Sequence, residues 1–516
     1  MSKNCGLWIL LLCPGGLLGI ETSFASEPVN VLHQARWTYS TDGGKTYSSD
    51  VPVLPSSRAC RIKARTTFQV KDPAGYAGLE LSRGHSRNMK SDFSLNGRRI
   101  QGPIKGMFYR TIPAIGPSLL KRGKNVLTVE IHISKAARNR MKPKTVLSFK
   151  PSLLALKAEH LKIQTGPVLG AAGSDWFTVT VRTNLPARTT LTVKSPAGRI
   201  QKQSRSRAGL IHRFLMRGLG PGKTYTYRIE ARLGSSTATT PLCSVRTLDP
   251  DKPLRFVAMA DSRTHPKDWS RVAEAVVKVK PDLIVFAGDM VTNGRDDWQW
   301  DHQFVHPAKS LLGEVPFYAV IGNHENNAPV FFELFQTPGG DRRGRNWSQK
   351  IGHVLLIGID GGGNWSPKGK NFHWLRQILS ETKANYIFLF THYPAWTSGP
   401  HGRLNKESQP REKAVRQSQQ FILPLLARYK ATAMIAGHDH CYERSEPPGG
   451  VSMIVSGGAG APLYGKVKRS EKQNPHSRVF INKHHYCLFS VTADRCEMIA
   501  TTPEGEILDR RIWKPR

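Results

Sequence analysis

The chain has 516 residues, of which 39% are hydrophobic and 22% charged, a balance that calls for packed cores and, by length, about three domains. Its formal net charge of +37 would attract anionic substrates and polymers. No basic helix of recognisable spacing and no aromatic-interleaved motif marks a dedicated nucleic-acid module. Seven cysteines without a CxxC pair leave a zinc ribbon unsupported.

The opening stretch, MSKNCGLWILLLCPGGLLGIETSFASEP, joins Lys3 to an apolar run from Leu7 and reaches small residues at Ser23 and Ala25. That order reads as an export signal over residues 1–25, which predicts a periplasmic or secreted protein. The run is short and broken by Pro14, Gly15 and Gly16, so no transmembrane segment is expected once the signal is removed. The mature part keeps Cys60, Cys243, Cys441, Cys487 and Cys496. Export permits a disulfide, and Cys487 with Cys496 is the nearest pair in sequence.

Residues 27–150 alternate short β-like pieces with turns. WTYSTDGGKTYSSD signals a hairpin through Asp42, Gly43 and Gly44, and its Ser40-x-Asp42-x-Gly44-x-x-Tyr47 pattern resembles a single Asp-box. FSLNGRRIQGP and LLKRGKNVLTVEIHI resemble the jelly-roll domains attached to secreted hydrolases, which implies a β-sandwich spacer or a glycan-binding module. Residues 151–248 are clearer. DWFTVTVRTNLPARTTLTV alternates as half-buried strands do. Leu219, Pro221, Gly222, Tyr225 and Tyr227 then resemble the tyrosine corner of a fibronectin type III-like sandwich. With His212 upstream, the segment is similar to the N-terminal domain of plant-type purple acid phosphatases. TLDPDKP is a linker into residues 254–516.

There the texture changes to short apolar runs: LRFVAMA, DLIVFAG, FYAVIG, HVLLIGI, NYIFLF and ATAMIA. Such runs read as strands buried on both faces. The helix-like stretches DWSRVAEAVVKVK and REKAVRQSQQFILPLLARY alternate with them, predicting α/β layers. Five runs finish on groups that can bind a cation. Asp261 closes the first and Asp289 the second; Asn323 and His324 close the third. His392 follows IFLF, and His438 and His440 follow MIA. Each alone would be an ordinary buried polar residue. Strand ends in layered α/β proteins share one edge, however, so together they predict a single cleft. Gly288, Gly322 and Gly437 precede three of these groups and allow close backbone approach. Carboxylates, an amide and imidazoles suit iron, manganese or zinc.

In order, Asp261-Ser262-Arg263, Gly288-Asp289 to Gly294, Gly322-Asn323-His324-Glu325, His392 and Gly437-His438-Asp439-His440 resemble the calcineurin-like metallophosphoesterase family. The extension GHDHCYERS and the preceding sandwich are similar to purple acid phosphatases. The resemblance implies a multidomain hydrolase, with N-terminal β-sandwich domains before an α/β metallophosphoesterase sandwich. It implies two metal ions acting on a phosphate ester: Asp261, Asp289 and His440 hold the first, and Asp289 bridges to a second held by Asn323, His392 and His438. By the same resemblance, a hydroxide held there would attack phosphorus. His324 stands beside the departing oxygen, and His401 falls where substrate-side histidines occur.

Arg263 departs from the pattern. Many members carry a histidine ligand there, and purple acid phosphatases use a tyrosine three residues after the bridging aspartate, where this chain has Thr292. A guanidinium has no lone pair for a metal but can fork onto phosphate oxygens. The expectation is that Arg263 grips substrate; its rival is an arginine turned to solvent or salt-bridged to a neighbour. His265 is offset unfavourably for a ligand, and Asp301, His302, His306 and Asp360 read as structural. The leading function is an exported phosphomonoesterase. A phosphodiesterase or nucleotide hydrolase is a variant on the same scaffold, and a glycan- or matrix-binding protein with a degenerate phosphoesterase domain is the rival of a different class.

Overall fold

The computed structural model describes residues 26–54, 59–84, 89–139, 145–147, 149–338 and 344–516. The export signal expected over residues 1–25 lies outside the described residues. Among them, no helix is long and apolar enough to cross a membrane.

Strong alternation in Cys60–Val70 and Gly123–Ile133 sends every second side chain inward, and the two strands pair antiparallel over all 11 residues. They anchor a five-stranded sheet that faces a four-stranded one, Val29–Asn30, Ser152–Leu156, Gly78–Ser82 and Thr111–Ile115. Phe93, Leu127, Val129 and Leu153 fill the space between. In the hairpin, Asp42 accepts the hydroxyl protons of Ser40 and Thr46, both at 2.6 Å, and the N–H of Lys45 at 2.9 Å. That carboxylate closes its own turn, as an Asx-type motif does.

The next sandwich is organised by one 19-residue strand, Trp176–Lys194. Its first half pairs with Ile163–Ala172 and Gly209–Arg217, and its second half with Ile200–Arg205 and Thr224–Leu233. Phe177, Val179, Leu191 and Tyr227 meet in the core. Tyr225 Oη accepts the Gly220 N–H at 2.8 Å, and Tyr227 Oη donates to the Gly313 carbonyl in the third unit at 2.6 Å.

The third unit stacks two sheets. In one, Leu254–Met259, Leu283–Phe286 and Phe317–Ala319 run parallel. In the other, Val354–Ile359, Tyr386–Thr391 and Ala433–Ala436 do. Their inner faces bury Phe256, Val285, Phe388 and Ile435, and Phe256 stacks on Phe489 at 4.6 Å. The outer faces are apolar too and are covered by Pro266–Lys278 on one side and Lys370–Glu381 on the other. Continuous apolar runs, rather than alternating ones, follow from burial on both faces.

Polar anchors join the units. Arg110 Nη2 lies 3.1 Å from Asp296 Oδ2 and its guanidinium covers the Trp298 ring at 3.8 Å. Thr165 donates to Asp301 at 2.5 Å, and His306 contacts the Gln164 carbonyl at 3.2 Å. His302 packs on Trp298, and Asp360 pairs with Arg345 at 2.7 Å. All four residues read as structural make structural contacts. The Cys487–Cys496 disulfide that export would permit does not form: Cys487 lies opposite Ala500, while Cys496 lies opposite Val491. Four strand positions separate the two, about 13 Å at the usual rise per residue and beyond disulfide reach.

The most buried ion pair among the anchors is Arg182 Nη2 to Asp297 Oδ1, 2.7 Å apart with both side chains under 8% exposed. Breaking such a pair strands a charge away from water. Arg182→Met should therefore destabilise the chain by about 3–5 kcal/mol, read as an earlier urea or thermal transition. The double variant Arg182→Met/Asp297→Leu should recover most of that loss.

Candidate metal centre

Three strands of the first sheet and two of the second end at one seam, which brings the candidate ligands into contact from both sides. Asp261, Asp289 and His438 lie two, three and two residues past their strand ends and adopt left-handed backbone, with φ of 63°, 59° and 73°. Side chains other than glycine pay for that conformation, so it persists where surrounding structure over-determines it. Two glycines make room. A Cβ on Gly322 would stand 2.3 Å from Asp289 Oδ1, and one on Gly437 would stand 2.3 Å from Asp261 Oδ2.

Hydrogen bonds on the far nitrogens orient the imidazoles. His392 Nδ1 donates to the Ala287 carbonyl at 2.9 Å and His440 Nδ1 to the Pro462 carbonyl at 2.6 Å. His438 Nε2 donates to Glu412 Oε2 at 2.7 Å. Each bond holds the tautomer that leaves the other nitrogen with a free lone pair. Those lone pairs converge. His392 Nε2 lies 3.1 Å from His438 Nδ1, 3.0 Å from Asn323 Oδ1 and 3.3 Å from Asp289 Oδ2. Ligand atoms of Asp289, His392 and His438 all fall within 4.8 Å of one another. Beside them, His440 Nε2 stands 3.5 Å from Asp261 Oδ1, a buried oxygen with no hydrogen-bond partner.

The electrostatics agree. Burial works against charge on His392, but Asp289 outweighs it and raises the imidazole to about 10. Burial also opposes ionisation of Asp289, yet His392 and His324 hold that carboxyl well below the usual range. Burial lowers His438 to about 4, with the Glu412 hydrogen bond opposing. The pocket therefore favours positive charge at its centre while keeping one imidazole neutral. Buried acceptors arranged this way, short of donors, fit a cation with nitrogen and oxygen ligands.

The remaining predicted residues lie at the rim. His324 donates from Nδ1 to the Thr292 carbonyl at 2.6 Å, and its Nε2 is 3.8 Å from Asp289 Oδ2. Arg263 turns inward with 15% of its side chain exposed: Nε lies 3.6 Å from Asp289 Oδ2, and Nη2 lies 3.4 Å from both His440 Nε2 and Tyr464 Oη. Thr292 Oγ1 donates to Gln303 at 3.0 Å. His265 points away, 3.5 Å from Asp268. His401 Nδ1 meets Glu412 Oε1 at 2.5 Å, and its ring lies 3.7 Å from that of His438.

Three further residues shape the site. Glu325 accepts the N–H groups of Asp289, Met290 and Gly322 at 2.9, 2.8 and 2.6 Å, lashing two ligand loops together. Burial, then repulsion from Asp289, raises its carboxyl to about 7. The GNHE string contains Glu325, but nothing in it signals this role. Glu412 connects His401 to His438, and Tyr464 stacks on His440 at 4.0 Å. Both come from loops without a motif.

The calcineurin-like phosphoesterase family matches residues 254–442. Tartrate-resistant acid phosphatase type 5 of Mus musculus is 33% identical over 264 residues, covering 43% of this chain and 77% of the relative. The Sus scrofa protein of that name is 32% identical over 271 residues, 44% of this chain and 73% of the relative. A "probable glycerophosphodiester phosphodiesterase" of Arcobacter nitrofigilis is 28% identical over 185 residues, 32% of this chain, and the match spans only 58% of that relative. In fold, a purple acid phosphatase from yellow lupin (Lupinus luteus) seeds superposes with a TM-score of 0.61 at 13% identity, over 93% of this chain and 96% of that one. The ordered motifs, the shared seam and these likenesses agree: the chain belongs to the calcineurin-like metallophosphoesterase family, with purple and tartrate-resistant acid phosphatases among its relatives.

Proposed function

We propose that the chain is an exported, metal-dependent phosphoester hydrolase, most simply an acid phosphatase-like phosphomonoesterase with a binuclear centre. The observation that carries this reading is the meeting of His392 Nε2, His438 Nδ1, Asn323 Oδ1 and Asp289 Oδ2, an arrangement that needs a cation or a proton on His392 at its centre. In this reading Asn323, His392 and His438 would hold one ion, Asp261 and His440 the other, and Asp289 would serve both. Iron, manganese and zinc all suit such ligands. When bound, a metal pair supplies Lewis-acid charge for the phosphoryl oxygens and acidifies water. The likeness of residues 151–248 to a fibronectin type III-like sandwich is supported by the Tyr225–Gly220 corner, and export by the sequence of residues 1–25.

The chain's own residues then divide the work. Arg263 reaches the cleft with its guanidinium and can fork onto two phosphate oxygens. His324, held from Nδ1 by the Thr292 carbonyl, presents Nε2 toward the cleft, placed to give a proton to the leaving oxygen when protonated. Burial lowers the proton affinity of His401, but the Glu412 hydrogen bond and the charges of Asp439 and Glu412 together raise it above that of a free imidazole, which favours a positive group beside an anionic substrate. A diester would use the same groups, and the phosphodiesterase reading draws support from the relative of that description.

A second reading concerns metal number. The Arg263 guanidinium stands between Asp289 and His440, which favours one metal with an arginine in place of the other.

Asp289→Ala should lower kcat on p-nitrophenyl phosphate by at least about a thousandfold and abolish stoichiometric metal, measured by steady-state kinetics and elemental analysis. Retained turnover without metal would sink the enzyme assignment. Arg263→Ala should reduce kcat/KM about tenfold or more, mostly through KM if the guanidinium grips ground state and transition state alike; an unchanged kcat/KM removes the grip. Two metals per wild-type chain support the binuclear centre. One metal, rising to two in Arg263→His, would establish the second reading.

A further inference from the structure

A cavity on the second sandwich lies far from any metal ligand in sequence: a trough of about 890 Å³. Its floor is the outward face of three neighbouring strands. Along Trp176–Lys194, Leu191 and Val193 point into the core, so Arg188, Thr190, Thr192 and Lys194 point out. Opposite them, Arg232 pairs with Arg188, Glu230 with Thr190 and Arg228 with Thr192. On the other side Arg205 lies beside Thr190 and Gln203 beside Thr192.

This pattern is costly unless something binds it. Arg188 and Arg232 face each other directly across an antiparallel pair, an arrangement that destabilises a sheet. Five basic side chains border the trough against one carboxylate, Glu230, which is engaged by Arg232 at 3.0 Å. Threonine hydroxyls and the Gln203 amide lie between the basic columns. The trough offers no stacking platform: Tyr225 and Tyr227, on the strand that carries Arg228, are buried. Extended single-stranded nucleic acid is held by aromatic stacking, and duplexes are read by an element that enters a groove. An open sheet face with interleaved cations and hydroxyls provides neither. It matches a chain with regularly spaced sulfate or carboxylate groups and many hydroxyls.

We propose that this face of the accessory sandwich binds an acidic polysaccharide, independently of the metal centre. Guanidinium groups would pair with the anionic substituents, and Thr190, Thr192 and Gln203 would meet sugar hydroxyls.

The test uses the full chain with a heparin decasaccharide, an oligogalacturonate decamer and decathymidylate, by isothermal titration at fixed salt. At least one acidic glycan should bind more tightly than decathymidylate, and the tighter of the two identifies sulfate or carboxylate as the preferred anion. Arg188→Thr/Arg205→Thr/Arg228→Thr keeps strand-forming side chains and should weaken that glycan about tenfold or more while leaving turnover of p-nitrophenyl phosphate unchanged. A control with the same loss of charge elsewhere, Arg98→Thr/Arg217→Thr/Arg376→Gln, should weaken it less than about threefold. Equal losses in the two variants would reduce the effect to the overall +37 field and overturn the site. So would decathymidylate binding as tightly as the glycans, or no measurable glycan binding by the wild-type chain. Each single substitution serves as a fallback should the triple variant fail to fold.

Discussion

Four acceptor atoms from four separate loops point at one another in a buried seam. Asp289, Asn323, His392 and His438 each have a free electron pair directed there, and the other nitrogens of the two histidines are already committed, to the Ala287 carbonyl and to Glu412. In low dielectric, uncompensated acceptors at such distances repel strongly. A cation resolves the conflict, and the high proton affinity of His392 expresses the same demand in a different currency. The rest of the architecture can be understood as what it takes to hold that arrangement.

Half of the candidate ligands come from each sheet. Asp261, Asp289 and Asn323 end strands of one; His392, His438 and His440 end strands of the other. Their mutual placement therefore depends on how Phe256, Phe388 and Phe489 pack between the layers. Left-handed backbone at Asp261, Asp289 and His438 turns the side chains back over the seam. The Asp261 carboxylate accepts the His438 N–H at 2.9 Å, and Asp289 accepts the His324 N–H at 2.9 Å, so two candidate ligands also brace neighbouring loops. Cross-bracing of this kind keeps the constellation preorganised.

The first two sandwiches are fastened to the third by buried or half-buried polar contacts rather than by flexible tethers. Arg110 of the first sandwich reaches Asp296; from the second, Tyr227 reaches Gly313, Arg182 reaches Asp297 and Thr165 reaches Asp301. These contacts converge on residues 294–314, the segment just beyond the Asp289 loop. The accessory units thus support the elements beside the cleft, while the outward face of the second sandwich stays open with its unusual charge pattern.

Much of this was legible in the primary structure because it is local. Continuous apolar runs announce strands buried on both faces. Glycines beside Asp289, Asn323 and His438 announce close approach, and the order of the motifs announces one cleft and a family. The direction of Arg263 was not legible, since a guanidinium on a loop can turn to solvent or inward. Only the neighbouring Asp289 and His440, 26 and 177 positions away, draw it in. Glu412 and Tyr464 carry no motif because their contacts are set by where loops land, and the Arg188–Arg232 opposition exists only once strand register is known. Spacing along the chain determines which groups can reach a strand end; packing between sheets and register between strands decide which of them meet.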